Sequence, residues 1–286
     1  MSSARQPTAL VTGGTSGIGR ALAQLLATAG ANVGIVGRDA TRGAAALTGI
    51  GTSARNPDVR LFVADLSSIA GIRALAEEVE RTYPGLDLLI NCAAIFTSRR
   101  VVSADGYELM LATNHLAPFL LTSLLLHPLA AAPAARVLTL TAPSTVCPDL
   151  NDLQSERQFS ALRAFGATKA ANLLFTFTLA RRLELESSPI SVNAVHPGVA
   201  RSTLMRDASA PVRWASWILS RSPERAAEGI LPLAVSDAYA GVSGRFFHRG
   251  REIRPAPFTR DIDLQDRLWE ASAALVGLPL PRSVSA

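Results

Sequence analysis

The sequence predicts an α/β fold, a single doubly wound parallel sheet with helices on both faces, and three observations predict it. Short, nearly continuous apolar runs alternate with longer segments of helical period. A glycine-rich turn, Thr12-Gly-Gly-Thr-Ser-Gly-Ile-Gly19, joins the first run directly to the first helical segment. The 286 residues, 48% hydrophobic and 18% charged, supply enough apolar material for one large layered core and argue against disorder. Residues 1–286 therefore read as one domain.

Taken in order, strands are expected at 8–12, 32–36, 60–64, 86–91, 137–141 and 191–195. Helices are expected at 17–29, 40–47, 69–83, 107–126 and 159–185. After His196 the pattern turns rich in Pro and Arg and carries Trp214 and Trp217. A helix from Pro223, a strand near 244–247 and a late helix around 264–275 follow. Ligands of doubly wound sheets bind beyond the carboxyl ends of the strands, so residues 202–221 are expected to form a lid over the substrate. A surface loop anchored by its two tryptophans is the alternative.

The net charge of +5 comes from 28 basic residues scattered along the chain, which gives a general attraction to anions and not the clustered footprint of a nucleic-acid binder. Cys92 and Cys147 lack metal-ligand or CxxC spacing and read as incidental thiols in a reducing compartment. The start runs into the first strand without room for a signal segment, and the apolar stretch 116–135 is broken by Pro118, His127, Pro128 and Pro133. The expectation is a cytoplasmic protein with no membrane span and a small-molecule substrate.

The turn after the first strand has the properties of a phosphate cradle. Glycine lets backbone amides and a helix N-terminus approach a pyrophosphate, where the helix dipole favours negative charge. Gly13, Thr15, Ser16, Gly17, Ile18 and Gly19 are the candidate contacts, and the fold is of the Rossmann type. The second strand ends in Val36-Gly37-Arg38-Asp39. Arg38 offers a cation for a 2′-phosphate, which favours NADP(H) over NAD(H), while Asp39 facing the ribose is the alternative.

With residues 12–19, Asp65-Leu66, Asn91-Cys-Ala-Ala94, Asn114, Phe165-Gly-Ala-Thr-Lys169 and Pro197-Gly198 in series, the chain resembles the short-chain dehydrogenase/reductase family. Asp152-Leu-Gln-Ser-Glu156, His196-Pro-Gly-Val199 and Arg267-Leu-Trp-Glu270 resemble its retinol dehydrogenase-like branch. The resemblance places Asp65 and Leu66 at the adenine and Asn91 and Ala93 along the cofactor. Pro197, Gly198, Val199 and Ser202 fall on the nicotinamide side. Cys92 and Ala94 depart from the Asn-Asn-Ala-Gly usual there. By the same analogy the protein is a homodimer or homotetramer.

The family's catalytic set is Asn, Ser, Tyr and Lys. Asn114 and Lys169 match two of these positions. Phe165 occupies the tyrosine position, four residues before Lys169 on one helical face, and Ala142 the serine position, with Ser144 or Thr141 as substitutes. Phenylalanine has no ionisable proton, and acid–base catalysis is worth roughly 10²- to 10⁴-fold. Lys169 is the only lysine in a chain that uses arginine for every other fixed cation, and a compact ammonium reaching ribose hydroxyls is a demand arginine meets poorly.

The function expected is an NADP(H)-dependent oxidoreductase that reduces an activated C=N, C=C or C=O group. The alternatives are a non-redox cyclase or isomerase using the same pocket, and a catalytically inactive nucleotide-binding protein.

Overall fold

A computed structural model describes residues 6–198 and 221–279. Its elements follow in chain order: β1 (Thr8–Thr12), α1 (Gly17–Thr28), β2 (Asn32–Gly37), α2 (Ala40–Ala54), β3 (Val59–Val63), α3 (Ile69–Thr82) and β4 (Leu88–Asn91). Then come α4 (Leu109–Leu111), a π-helical turn (Ala112–Leu116), α5 (Ala117–Leu124), α6 (Leu126–Ala130), β5 (Arg136–Leu140), α7 (Ala161–Leu185) and β6 (Ser191–His196). The chain continues with α8 (Pro223–Val235), β7 (Phe246–His248), β8 (Arg251–Glu252) and α9 (Ile262–Val276).

The strands form one sheet in the order β3-β2-β1-β4-β5-β6-β7-β8, parallel throughout except for the antiparallel β7–β8 pair. Strand order reverses between β1 and β4, which opens a crevice above their carboxyl ends. Alternation along each strand feeds two cores. Leu10 and Leu89 join Phe62, Phe119, Phe175 and Leu179 on one face. Ala9, Val11, Leu88 and Ile90 join Leu22, Leu26, Ile50 and Ile230 on the other. Phe62, Phe119, Leu10, Leu22 and Ile50 are fully buried, each worth roughly 1.5–3 kcal/mol.

Every predicted strand and helix has a counterpart, with boundaries within two residues of those expected except at two places. Helix α2 runs to residue 54, not 47. Asp39 caps its start by accepting from the Arg42 N–H at 2.9 Å, and the fully buried Ile50 holds the glycine-containing second half against the sheet. The single helix expected over 107–126 is instead α4, a π turn and α5. Pro118 has no N–H to give the Asn114 carbonyl four residues earlier, so the α-helical ladder cannot continue there. The Asn172 side chain on α7 donates to that carbonyl at 2.8 Å instead.

Helix α9 lies across α7. Trp269 stacks on Phe175 at 5.9 Å between ring centres, meets Phe119 edge-on at 4.9 Å, and carries the Arg182 guanidinium 4.3 Å above its ring. Much of the apolar surface of α5 and α7 is thereby accounted for within one chain. Among the described residues no helix is long and apolar enough to cross a membrane.

Candidate active site

The crevice at the strand-order switch is a cleft of about 380 Å³. Its walls include Gly13, Thr15 to Gly19, Val36 to Arg38, Asp65, Leu66 and Cys92 to Thr97. Each segment is held there by a local interaction. The Thr12 hydroxyl accepts from the Cys92 and Ala93 amides at 2.9 and 3.1 Å, tying the end of β4 to the end of β1. Gly13 has φ +66°, and a Cβ on it would lie 3.0 Å from Ala93 Cα. A Cβ on Gly19 would come within 2.5 Å of the Gly13 carbonyl, so the loop folds back on its own helix as no bulkier residue permits. No side chain caps the N-terminus of α1, whose first turn holds no acid. Its amides face the cleft with the dipole's positive end.

At the end of β2 the two candidates for the ribose separate. Asp39 spends its carboxylate on α2, accepting from the Arg42 N–H and pairing with Arg42 Nε at 3.0 Å. That backbone hydrogen bond is the main reason its carboxyl lies below the usual range. Asp39 does not line the cleft; Arg38 and Arg42 do. Arg38 is exposed and has no ionic or hydrogen-bonding partner among the described residues. Asp65 follows the neighbouring strand β3, accepting from the Ser67 amide and hydroxyl at 2.9 and 2.8 Å, and Leu66 is buried beside it. Asn91 does not line the cleft: its side chain donates to the Thr122 hydroxyl at 2.9 Å, behind Ala93.

Behind Leu109 and Thr113 of the cleft wall lie the rest of the π turn and α7, and Asn114, Phe165 and Lys169 are not among the residues that line the cleft. Asn114 is 1% exposed. Its Oδ1 accepts from the Ile95 N–H at 2.8 Å, and its Nδ2 donates to the Ile95 carbonyl at 3.0 Å and the Thr168 hydroxyl at 3.3 Å. The amide is thus used to hold the cleft segment 93–97 in place. His115 beside it is completely buried between Asn172 Oδ1 (3.1 Å) and the Ser272 hydroxyl of α9 (2.9 Å). Asn172 commits its amide group to the Asn114 carbonyl, so Nδ1 of His115 carries the proton of the neutral ring, while the Ser272 hydroxyl lies between Nε2 and the Leu268 carbonyl, 2.7 Å away, to which it donates. Burial pulls the His115 pKa down to about 4.

Lys169 is 6% exposed. Its ammonium stands 5.3 Å from the centre of the Phe165 ring, one helical turn earlier, and has no hydrogen-bond acceptor among the described residues. Burial pulls its pKa down to about 8, and the one titratable neighbour acting on it is the Cys92 thiol, itself pushed up to about 12 by burial. Phe165 packs edge-on against Phe96 at 5.7 Å in an apolar cluster with Ile95, Met110, Phe159 and Ala164.

Of the residues after β5, Thr141 is buried and donates to the Lys169 carbonyl at 2.6 Å, so its proton is committed. Ala142 presents only a methyl group. The Ser144 hydroxyl accepts from the Val146 amide at 3.1 Å and lies against Gly166, next to Phe165. Pro197 and Gly198 follow β6 outside the cleft wall, with Gly198 at φ +82° beside His248. Val199, Ser202 and lid residues 202–220 lie outside the described residues, and only Arg221 of that segment falls within them.

Residues 7–213 match the family model for short chain dehydrogenase. The chain belongs to the short-chain dehydrogenase family. Human retinol dehydrogenase 13 is 36% identical over 285 residues, covering 96% of this chain and 86% of the relative. Mouse polyprenol dehydrogenase is 34% identical over 281 residues, covering 94% and 83%. Among solved structures, a putative uncharacterized protein from Mycobacterium paratuberculosis superposes with a TM-score of 0.80 at 29% identity, covering 96% of this chain and 95% of that one. The Pseudomonas aeruginosa RhlG/NADP active-site complex gives 0.69 at 28% identity, covering 90% and 98%.

The cleft of this short-chain dehydrogenase fits the nicotinamide dinucleotide the family uses. The cradle is one that a Cβ at Gly13 or Gly19 would fill, no side chain caps the α1 N-terminus, and the buried Thr97 hydroxyl of the cleft wall has no partner among the described residues. Sequence reasoning missed Arg42, Thr12, Thr97, Asn172 and His115. Two of these carried a signal: Asn172 lies three residues after Lys169 on the same helix, and His115 adjoins Asn114.

Proposed function

We propose that this short-chain dehydrogenase is an NADP(H)-dependent reductase of an activated C=O, C=N or C=C group in an apolar small molecule. The observation that carries the reading is the division of labour at the end of β2. Asp39 is consumed as the cap of α2, while Arg38 lines the cleft without a partner among the described residues and with Arg42 beside it, the charge arrangement that suits a 2′-phosphate.

Residues 13–19 and the α1 amides would hold the pyrophosphate, Asp65 and Leu66 would flank the adenine, and Lys169 would reach the nicotinamide ribose. When bound, the dinucleotide supplies the hydride. Ile95, Phe96, Phe159 and Phe165 offer the substrate an apolar, water-excluding wall. Retinol and polyprenol dehydrogenases among the relatives carry names of apolar polyene and prenyl alcohols, which supports a conjugated apolar aldehyde or enone as the substrate class. Asn114 keeps the wall in register through Ile95.

The test is a calorimetric titration with NADPH, NADP⁺ and NADH, followed by a panel of apolar conjugated carbonyl, enone and iminium compounds. Preferential binding of the phosphorylated forms with NADPH consumption supports the proposal. Absence of nucleotide binding overturns it. A second reading draws on the lack of a hydroxyl at Phe165 and Ala142: a cyclase or isomerase with the nucleotide structural, or a nucleotide-binding protein without turnover. Product formed without net NADPH oxidation favours the former, and binding with no turnover of any kind the latter.

A further inference from the structure

The fold leaves a buried polar atom without a partner directly behind the cofactor cleft. Asn91, the last residue of β4, is 4% exposed, and its Nδ2 donates to the Thr122 hydroxyl. Its Oδ1 has no partner among the described residues. Exchanging the two ends of the amide would leave an unpartnered NH2 in the same place. A buried amide oxygen taken from water and given no donor is costly, and folded proteins rarely keep one so.

Asn91 lines a cavity of about 10 Å³, together with Thr12, Thr113, Leu66, Ala93 and Leu121. Thr122 is not part of that wall, so Oδ1 is the polar atom that Asn91 offers the cavity. The Thr12 hydroxyl is fully used: it donates to the Ile90 carbonyl and accepts from the Cys92 and Ala93 amides. The Thr113 hydroxyl, on the π turn, makes no hydrogen bond among the described residues. Such a space holds one water molecule, and two polar partners are enough to bind it. Leu66, Ala93 and Thr113 also belong to the cleft wall, so the cavity and the cleft share one partition.

We propose that this cavity is a binding site for a single water molecule, which donates to Asn91 Oδ1 and is tied to the Thr113 hydroxyl, and that Asn91 serves the cleft through it. The water joins the end of β4 to the π turn. The Thr12 hydroxyl fixes the Cys92 and Ala93 amides to β1, so the strand end behind the cleft is held from two directions. Asn91 is thereby a positioning residue. The site stands whichever reaction the cleft performs, and only its effect on nucleotide affinity rests on the dinucleotide reading of the cleft.

A high-resolution crystal structure should show density within hydrogen-bonding distance of Asn91 Oδ1 and Thr113 Oγ1. Oxygen-17 relaxation dispersion, which counts long-lived internal waters in solution, should lose one water in Asn91→Leu and in Thr113→Val and none in Thr113→Ser. Residue 91 does not line the cleft, yet Asn91→Leu should weaken NADPH binding about 2- to 10-fold, the size of one hydrogen bond. Thr122→Val cuts the other bond of Asn91 and should leave the water count unchanged. Thr139, the register partner of Asn91 on β5, has a buried hydroxyl that is likewise unpartnered among the described residues. A crystal in which that hydroxyl donates to Asn91 Oδ1, a cavity without density, or an unchanged water count in both variants would overturn the proposal. Unchanged NADPH affinity after loss of the water would overturn the role given to Asn91. A wild-type protein that binds no nucleotide overturns the reductase reading instead, and the water count still decides the site.

Discussion

At the residue scale, the proposed preference for NADP(H) rests on Arg38, which has no ionic or hydrogen-bonding partner among the described residues. Arg38→Ala removes a charge-assisted partner worth about 1.5–3 kcal/mol. NADPH affinity should therefore fall roughly 10- to 100-fold with NADH affinity little changed, as read by calorimetric titration. An equal loss for both nucleotides would remove Arg38 from the 2′-phosphate. Phe165→Tyr restores an ionisable hydroxyl one helical turn from the Lys169 ammonium. It should raise carbonyl reduction by about tenfold or more at pH 7, measured as kcat on a conjugated aldehyde. No gain would mean that the substrate oxygen lies elsewhere.

At the scale of elements, two features govern the site. The cradle depends on Gly19, where a Cβ would meet the Gly13 carbonyl at 2.5 Å. Gly19→Ala should shift the loop and abolish nucleotide binding while the far-ultraviolet circular dichroism stays native. The π turn depends on Pro118 and Asn172 together: the proline withholds the helical donor, and the asparagine replaces it. Asn172→Ala leaves the buried Asn114 carbonyl and the His115 ring unsatisfied. It should cost about 1–3 kcal/mol in denaturant unfolding and weaken nucleotide binding through Ile95. A variant of wild-type stability would show that the turn needs no partner.

For the whole molecule, buried bases couple stability to pH. His115 has a folded-state pKa of about 4 against an ordinary 6.5. The unfolded chain therefore binds the extra proton first, and the stability that neutral His115 contributes is present above about pH 6.5 and lost as pH falls through about 4. The shift corresponds to about 3 kcal/mol. Lys169 has the same sign at higher pH, so stability should rise as pH climbs from about 8 toward 10.5. Denaturant midpoints measured from pH 4 to 10 should show both slopes, and His115→Gln should reduce the acidic one, leaving the part due to His196, whose pKa burial also pulls down to about 4.

The sequence by itself determined the architecture and the local residue pattern from which the site is read. Strand and helix periods, the glycine spacing at 13, 17 and 19, and the pairing of Phe165 with Lys169 on one helical face are local properties, and local properties survive into the fold. What only the tertiary structure decided depended on partners distant in sequence. Asn91 fits the cofactor wall on motif grounds, yet its side chain turns to Thr122 behind that wall. Asp39 and Arg38 compete for one role in the sequence, and the N-terminus of α2 claims the aspartate. The helix expected over 107–126 breaks because an asparagine 58 residues away can satisfy the carbonyl that Pro118 leaves open. Burial then alters the acidity of Lys169, and burial is a property of the folded packing around a residue, invisible in the residue itself.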